Sequence, residues 1–127
     1  MKLHLDPANG SHVITQHGAG FVVIDGIRVT EHVIILPDVI INPWRIGSVT
    51  FTATSLCVDD FAAIFERRPE LVVFGAGAVF RFPERRILAA FAEARIGFEV
   101  MDTPAACRTY NVLVSEGRRI AAALLIG

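Results

Sequence analysis

Leu71-Val72-Val73-Phe74-Gly75-Ala76-Gly77, Ile96-Gly97-Phe98-Glu99-Val100-Met101-Asp102-Thr103-Pro104 and Arg119-Ile120-Ala121-Ala122-Ala123-Leu124-Leu125-Ile126 decide the fold. Leu71 to Phe74 is an uninterrupted apolar run, the pattern of a strand covered on both faces. Pro83 then suits a helix start, with Glu84 in the first turn and Ile87, Leu88 and Phe91 on one face. Ile96 to Met101 reads as the next strand. Thr103-Pro104 reads as a second helix start, with Thr as N-cap and Pro at the first helical position. That helix runs through Tyr110 to about Ser115, and Gly117 suits its C-terminal stop. Arg119 to Ile126 is the last strand. Strand, helix, strand, helix and strand at this spacing imply parallel neighbours joined by right-handed crossovers. The direction of the last strand stays open, because a short turn at Gly117 serves either pairing. The class is an α/β sandwich.

Upstream, the chain reads as strands and turns, which adds β structure at the N-terminus. Val13-Ile14-Thr15 and Phe21-Val22-Val23-Ile24 flank a turn signal, Gly18-Ala19-Gly20. Asp25-Gly26 is a hairpin signal between Ile24 and Ile27, since both turn positions tolerate positive φ. Val33-Ile34-Ile35-Leu36 is a short apolar run stopped by Pro37, and Val49-Thr50-Phe51-Thr52 alternates as a strand does. Asp59 and Asp60 open a helix with Phe61, Ile64 and Phe65 on one face, and Arg68-Pro69 stops it. Trp44, after Asn42-Pro43, reads as core, with an exposed interface anchor as the other reading.

The 127 residues suit one α/β domain over 1–127. Hydrophobic residues are 53%, enough for a core, and the net charge of −1 argues against a basic nucleic-acid binder. Cys57 and Cys107 form no disulfide framework, so a reducing compartment is expected. The Met1–Pro7 stretch has no apolar signal core, and Ile120–Ile126 is far short of the ~20 residues of a membrane span. These features imply a soluble, cytoplasmic protein with no transmembrane segment.

In open α/β sheets, ligands collect beyond the carboxyl ends of the strands. Two loops qualify, Gly75-Ala76-Gly77-Ala78 and Met101-Asp102-Thr103-Pro104. Gly75 and Gly77 let a ligand approach the backbone, or simply turn a tight strand exit. GxGxxG fails at Phe80, and GxxxxGK[ST] is absent, so no nucleotide cofactor is called for. Thr103 and the helix N–H groups favour an anion, and Arg108 offers a bidentate contact. Tyr110 and Asn111 complete the candidate ligand-binding set, against the reading that they are a packed, hydrogen-bonded pair. Cys107 has no histidine near it in sequence and reads as buried. His4, His12, His17 and His32 lack metal-ligand spacing, and GxSxG is absent. No catalytic or metal residue is nominated, and no cofactor.

The chain also resembles a known family. The resemblance rests on Gly20-Phe21-Val22-Val23-Ile24-Asp25-Gly26, Pro37 followed by Trp44, and Phe74-Gly75-Ala76-Gly77. Its most specific part is Val100-Met101-Asp102-Thr103 through Ala106-Cys107-Arg108-Thr109-Tyr110-Asn111, continuing into Glu116-Gly117-Arg118-Arg119-Ile120-Ala121-Ala122-Ala123-Leu124. It is similar to a family of small α/β domains of unknown molecular function. That family includes the third mitochondrial complex I (NADH dehydrogenase) assembly factor and many uncharacterised bacterial proteins. The resemblance implies a three-layer α/β domain around a mixed central sheet. The family's Gly-Thr-Gly pattern has Ala76 in its middle here, which removes a threonine hydroxyl from that place. No catalytic residues carry across.

Two expectations follow. One is a non-catalytic interaction protein assisting biogenesis of a membrane respiratory complex, with protein partners met through the Trp44 region or the N-terminal strands. The other is a small-molecule binder or enzyme taking an anionic ligand at Gly75, Gly77, Thr103 and Arg108. Phe80 and Phe82 flank Arg81 in a loop, and exposed rings there are compatible with a homodimer contact.

Overall fold

The computed structural model describes residues 12–45 and 56–126. The strand expected at 49–52, and the readings of Met1–Pro7 and His4, lie outside the described residues. The expected Asp25-Gly26 turn joins β2 (Phe21–Ile24) to β3 (Ile27–Val29), with φ of 52° and 85° at its two positions. Positive φ at both positions matches the right-handed twist of the flanking strands. β1 (Ile14–Gly18) pairs antiparallel with β2 and completes a three-stranded sheet in the order β1-β2-β3. The register slips between Ile14 and Gln16, so a bulge at Thr15 turns Ile14 inward.

A second sheet carries the candidate site. It contains β4 (Val33–Ile35), β5 (Ile40–Ile41), β6 (Leu71–Gly75), β7 (Gly97–Met101) and β8 (Ile120–Leu124), in the order β5-β4-β8-β6-β7. β8 runs parallel to β6 and antiparallel to β4, which settles the direction left open by the sequence and makes the sheet mixed. The protein is an α/β fold, with three α-helices among the described residues: α1 (Ala62–Arg67), α2 (Arg85–Ala94) and α3 (Thr103–Ser115).

The strand order dictates where the helices go. β7 lies on one side of β6 and β8 on the other. Two right-handed crossovers running in opposite directions place their helices on opposite faces of the sheet. The packing agrees with this. Ile87 and Phe91 of α2 meet Val72 and Phe74 on one face. Ala106, Cys107, Tyr110 and Val114 of α3 meet Leu71, Val73, Ala122 and Leu124 on the other, together with Val22, Ile24 and Val29 of the small sheet. Successive strand residues point to alternate faces, which is why the two clusters interleave along β6 and β8.

The α2 face is an aromatic core around Phe61. The Phe61 ring meets Trp44 at 5.3 Å, Phe91 at 5.4 Å, Phe98 at 5.9 Å and Phe74 at 6.1 Å, all edge-on. Trp44 is 4% exposed and donates its indole N–H to the Asp60 carbonyl at 2.7 Å. That buries the ring as core, so the indole is not an exposed anchor for a partner.

Three helix starts differ from the sequence expectation. The helix opened by Asp59 and Asp60 begins as a 3₁₀ turn, Val58–Phe61, with the Asp60 carboxylate accepting from Cys57 N at 2.8 Å. α2 begins at Arg85, two residues after Pro83, because Glu84 is extended (ψ 150°) and serves as the N-cap. α3 begins at Thr103, and its N-cap is Asp102, whose carboxylate accepts from Ala105 N at 2.8 Å. Thr103 is therefore inside the helix and is not the cap. A carboxylate at the cap accepts the same N–H and adds favourable charge at the positive helix end.

His32 couples pH to this fold. Its Nδ1 accepts from Ile126 N at 2.9 Å, so the neutral ring is the form that holds the end of the chain. Burial lowers its pKa from 6.5, with Glu31 opposing weakly. A depressed histidine pKa gives stability that is fully present above the unfolded value and is lost as pH falls through the folded one. Below pH 6.5, stability is therefore expected to decline. One proton sets a ceiling of about 1.4 kcal/mol per pH unit, and solvent around the half-buried ring reduces it. Denaturant unfolding at stepped pH should show this decline shallower in His32→Asn, whose amide oxygen accepts without titrating. Equal slopes would remove His32 as its source.

Candidate functional site

β6 and β7 pair in parallel, so the loops that follow them lie side by side. Ala76 N donates to Met101 O at 2.8 Å, and Thr103 N donates to Gly77 O at 2.8 Å. The loop after β6 then turns to the α2 face and the loop after β7 to the α3 face, which opens a crevice between them. A cleft of about 390 Å³ occupies this place, walled by Gly77, Ala78, Thr103, Pro104 and Ile126. Its far wall is the β1–β2 turn region, His17-Gly18-Ala19-Gly20-Phe21.

The expected site residues take different places. Gly77 and Thr103 line the cleft. Gly77 has a φ of +105°, a conformation that favours glycine. Gly75 lies buried beneath the start of α3, where an added Cβ would sit 2.9 Å from Thr103 Oγ1 and 3.0 Å from Thr103 Cα. Its bareness serves packing of the helix on the strand end. Arg108 is exposed on α3 and is not among the lining residues.

Thr103 ties three strand ends together. Its Oγ1 accepts from Gly77 N at 2.9 Å and donates to Leu125 O at 2.6 Å. The first turn of α3 offers an anion little. Thr103 N is bonded to Gly77 O, Ala105 N to the Asp102 carboxylate and Ala106 N to Asp102 O, while Pro104 has no N–H. The Asp102 carboxylate also adds negative charge where an anion would sit.

Tyr110 and Asn111 hold the small sheet onto α3. The buried Tyr110 hydroxyl donates to His12 O at 3.0 Å. Asn111 accepts from Ile14 N at 3.0 Å and donates to Ile14 O at 2.6 Å, pairing with the strand backbone as a neighbouring strand would. Asp25 fastens the same segment from the other side, accepting from Val13 N at 2.8 Å and contacting His12 Nδ1 at 2.6 Å. Burial, with the Asp25 carboxylate adding to it, pushes the Tyr110 phenol up. Burial likewise pushes the Cys107 thiol up to about 11, against a weaker pull from Arg108, so the thiolate nucleophile is suppressed.

The cleft's far wall was missed from sequence. Gly18-Ala19-Gly20 was legible as a turn, but nothing in its spacing says that it faces Gly77 and Thr103, more than 50 residues away.

Fold and site together define an α/β protein with a largely apolar crevice at the switch point of a mixed sheet. The chain belongs to the family described as "Protein of unknown function (DUF498/DUF598)", whose model matches residues 14–125. The resemblance seen in the sequence is thereby confirmed. It is 33% identical over 125 residues to human NADH dehydrogenase [ubiquinone] 1 alpha subcomplex assembly factor 3. That match covers 97% of this chain and 65% of the human protein, so the chain spans somewhat less than two thirds of that relative. Among solved structures, a Xanthomonas campestris protein superposes with a TM-score of 0.80 at 29% identity, covering 100% of this chain and 93% of that one. A Bordetella pertussis protein described as a Mth938-like domain superposes with a TM-score of 0.72 at 28% identity, covering 98% and 92%. Among the described residues, no helix is long and apolar enough to cross a membrane.

Proposed function

We propose that this chain is a non-catalytic interaction protein that assists assembly of a membrane respiratory complex. The observation that carries the proposal is the likeness to the human assembly factor across 97% of this chain. The site chemistry supports it. Thr103, Tyr110 and Asn111 hold the fold together with their polar atoms, and the Cys107 thiol is buried and protonated at neutral pH. The test is deletion of the gene, with native-gel quantification of assembled respiratory complexes and complementation by the intact gene. Assembled complex should fall and be restored. Normal abundance of every complex would sink the proposal.

The cleft favours a second reading, an anionic-ligand binding protein or enzyme with its site at the Gly75-Gly77 and Thr103–Arg108 loops, of which Gly77 and Thr103 line the cleft. A thermal-unfolding panel of phosphates, carboxylates and apolar compounds separates the readings. A hit weakened by Arg108→Ala supports an anion there, while a hit confined to apolar compounds assigns the cleft a different occupant.

A further inference from the structure

The loop between β6 and α2 carries three exposed apolar side chains in four residues: Val79 at 62%, Phe80 at 47% and Phe82 at 59%. The two rings meet each other edge-on at 4.9 Å, which makes a small apolar knob beside the cleft wall at Ala78. Among the described residues, Trp44, Phe65, Phe74, Phe91 and Phe98 pack with Phe61 in the α2-face core, and Tyr110 is buried under α3. The outward rings therefore stand out.

The charge around the knob is of one dominant sign. Arg81 lies between the rings, and Arg85 and Arg86 follow at the start of α2; all three are exposed. Glu84 is the one acid in residues 79–86. Arg86 lines a shallow pocket together with Asp59 and Glu84. Arg81 and Arg85 have no ion-pair partner within 4.0 Å among the described residues. A chain of net charge −1 thus presents a locally cationic, aromatic projection.

We propose that the Val79-Phe80-Arg81-Phe82 loop docks this protein onto an anionic lipid bilayer. Apolar side chains on a projecting loop enter the headgroup boundary, and arginines beside them meet lipid phosphates. A pair of exposed rings suits this soft surface. The complementary charge selects anionic over neutral lipid. The inference goes beyond assistance to complex assembly and stands without it, since lipid binding is measured on the purified protein.

The test is co-sedimentation of the purified chain with vesicles of phosphatidylcholine alone or mixed with phosphatidylglycerol, at low and high salt. Binding should require phosphatidylglycerol and weaken as salt rises. An arginine near an anionic surface is worth about fivefold in partitioning, so Arg81→Gln with Arg85→Gln should lower it roughly 25-fold. Phe80→Ser with Phe82→Ser should abolish binding while the exposed positions leave the unfolding midpoint unchanged. Absence of wild-type binding at low salt, or binding indifferent to both variants, overturns the proposal. So does a wild-type dimer that Phe80→Ser with Phe82→Ser turns into a monomer with no lipid binding by either form, which assigns the knob to a second copy.

Discussion

Phe61→Ala is expected to destabilise the protein by about 3–5 kcal/mol, the range for removing a buried aromatic ring. Phe61 is completely buried and its ring touches those of Trp44, Phe74, Phe91 and Phe98. These rings come from the 3₁₀ turn, two strands, α2 and the segment after β5, so no single element can move in to fill the space. A domain of this size has about 5–15 kcal/mol in total, and the variant should lose a large part of it. The midpoint should fall by roughly 10–20 °C in calorimetry. Phe61→Leu keeps much of the volume and should recover more than half of the loss. A drop of only a few degrees in Phe61→Ala would mean that the aromatic cluster does not hold the α2 face.

Asn111→Ala carries the second large effect. The amide makes two bonds to the Ile14 backbone, and its removal leaves both Ile14 N and Ile14 O without those partners. Leaving a buried backbone group unpaired costs about 1–3 kcal/mol, so a loss of roughly 2–4 kcal/mol is expected for the pair, less what water recovers at this half-buried edge. The damage should be local. Hydrogen exchange should quicken in β1 and β2, while β6 and β8 keep their protection. Unchanged exchange at Ile14 together with loss of a bound ligand would return Asn111 to the binding role that its sequence context suggested. Tyr110, bonded to His12 O from the same helix, makes the attachment a two-point clasp, so Tyr110→Phe with Asn111→Ala should loosen the small sheet further than either alone.

The crevice and the clasp lie at opposite stages of legibility. The strand-end loops at Gly75–Ala78 and Met101–Pro104 are legible in the sequence, because apolar runs and a proline-marked helix start are local signals, while their adjacency follows from the β6–β7 pairing. Which donors those loops leave open was not legible. Thr103 was expected to cap α3, yet Asp102 does so, and the Thr103 hydroxyl bridges Gly77 N and Leu125 O instead. Both residues are good caps by type, and the choice between them follows from the strand ends that Thr103 must join. Phe80 and Phe82 likewise read as loop aromatics from sequence, but exposure is a property of where the rest of the chain goes.

By itself, the sequence determined the α/β class, the order of strands and helices in its second half, the Asp25-Gly26 hairpin and the family. Each rests on interactions within a few residues: period-two and helical apolar spacing, the φ that glycine permits, and proline at a helix start. The tertiary structure alone decided that β8 lies between β4 and β6, that α2 and α3 cover opposite faces, that Trp44 is core, and that Tyr110 and Asn111 grip β1. Those outcomes depend on contacts between residues up to about a hundred positions apart. A local pattern fixes what each segment becomes and which face it must bury, and only the simultaneous burial of all those faces fixes what each one meets.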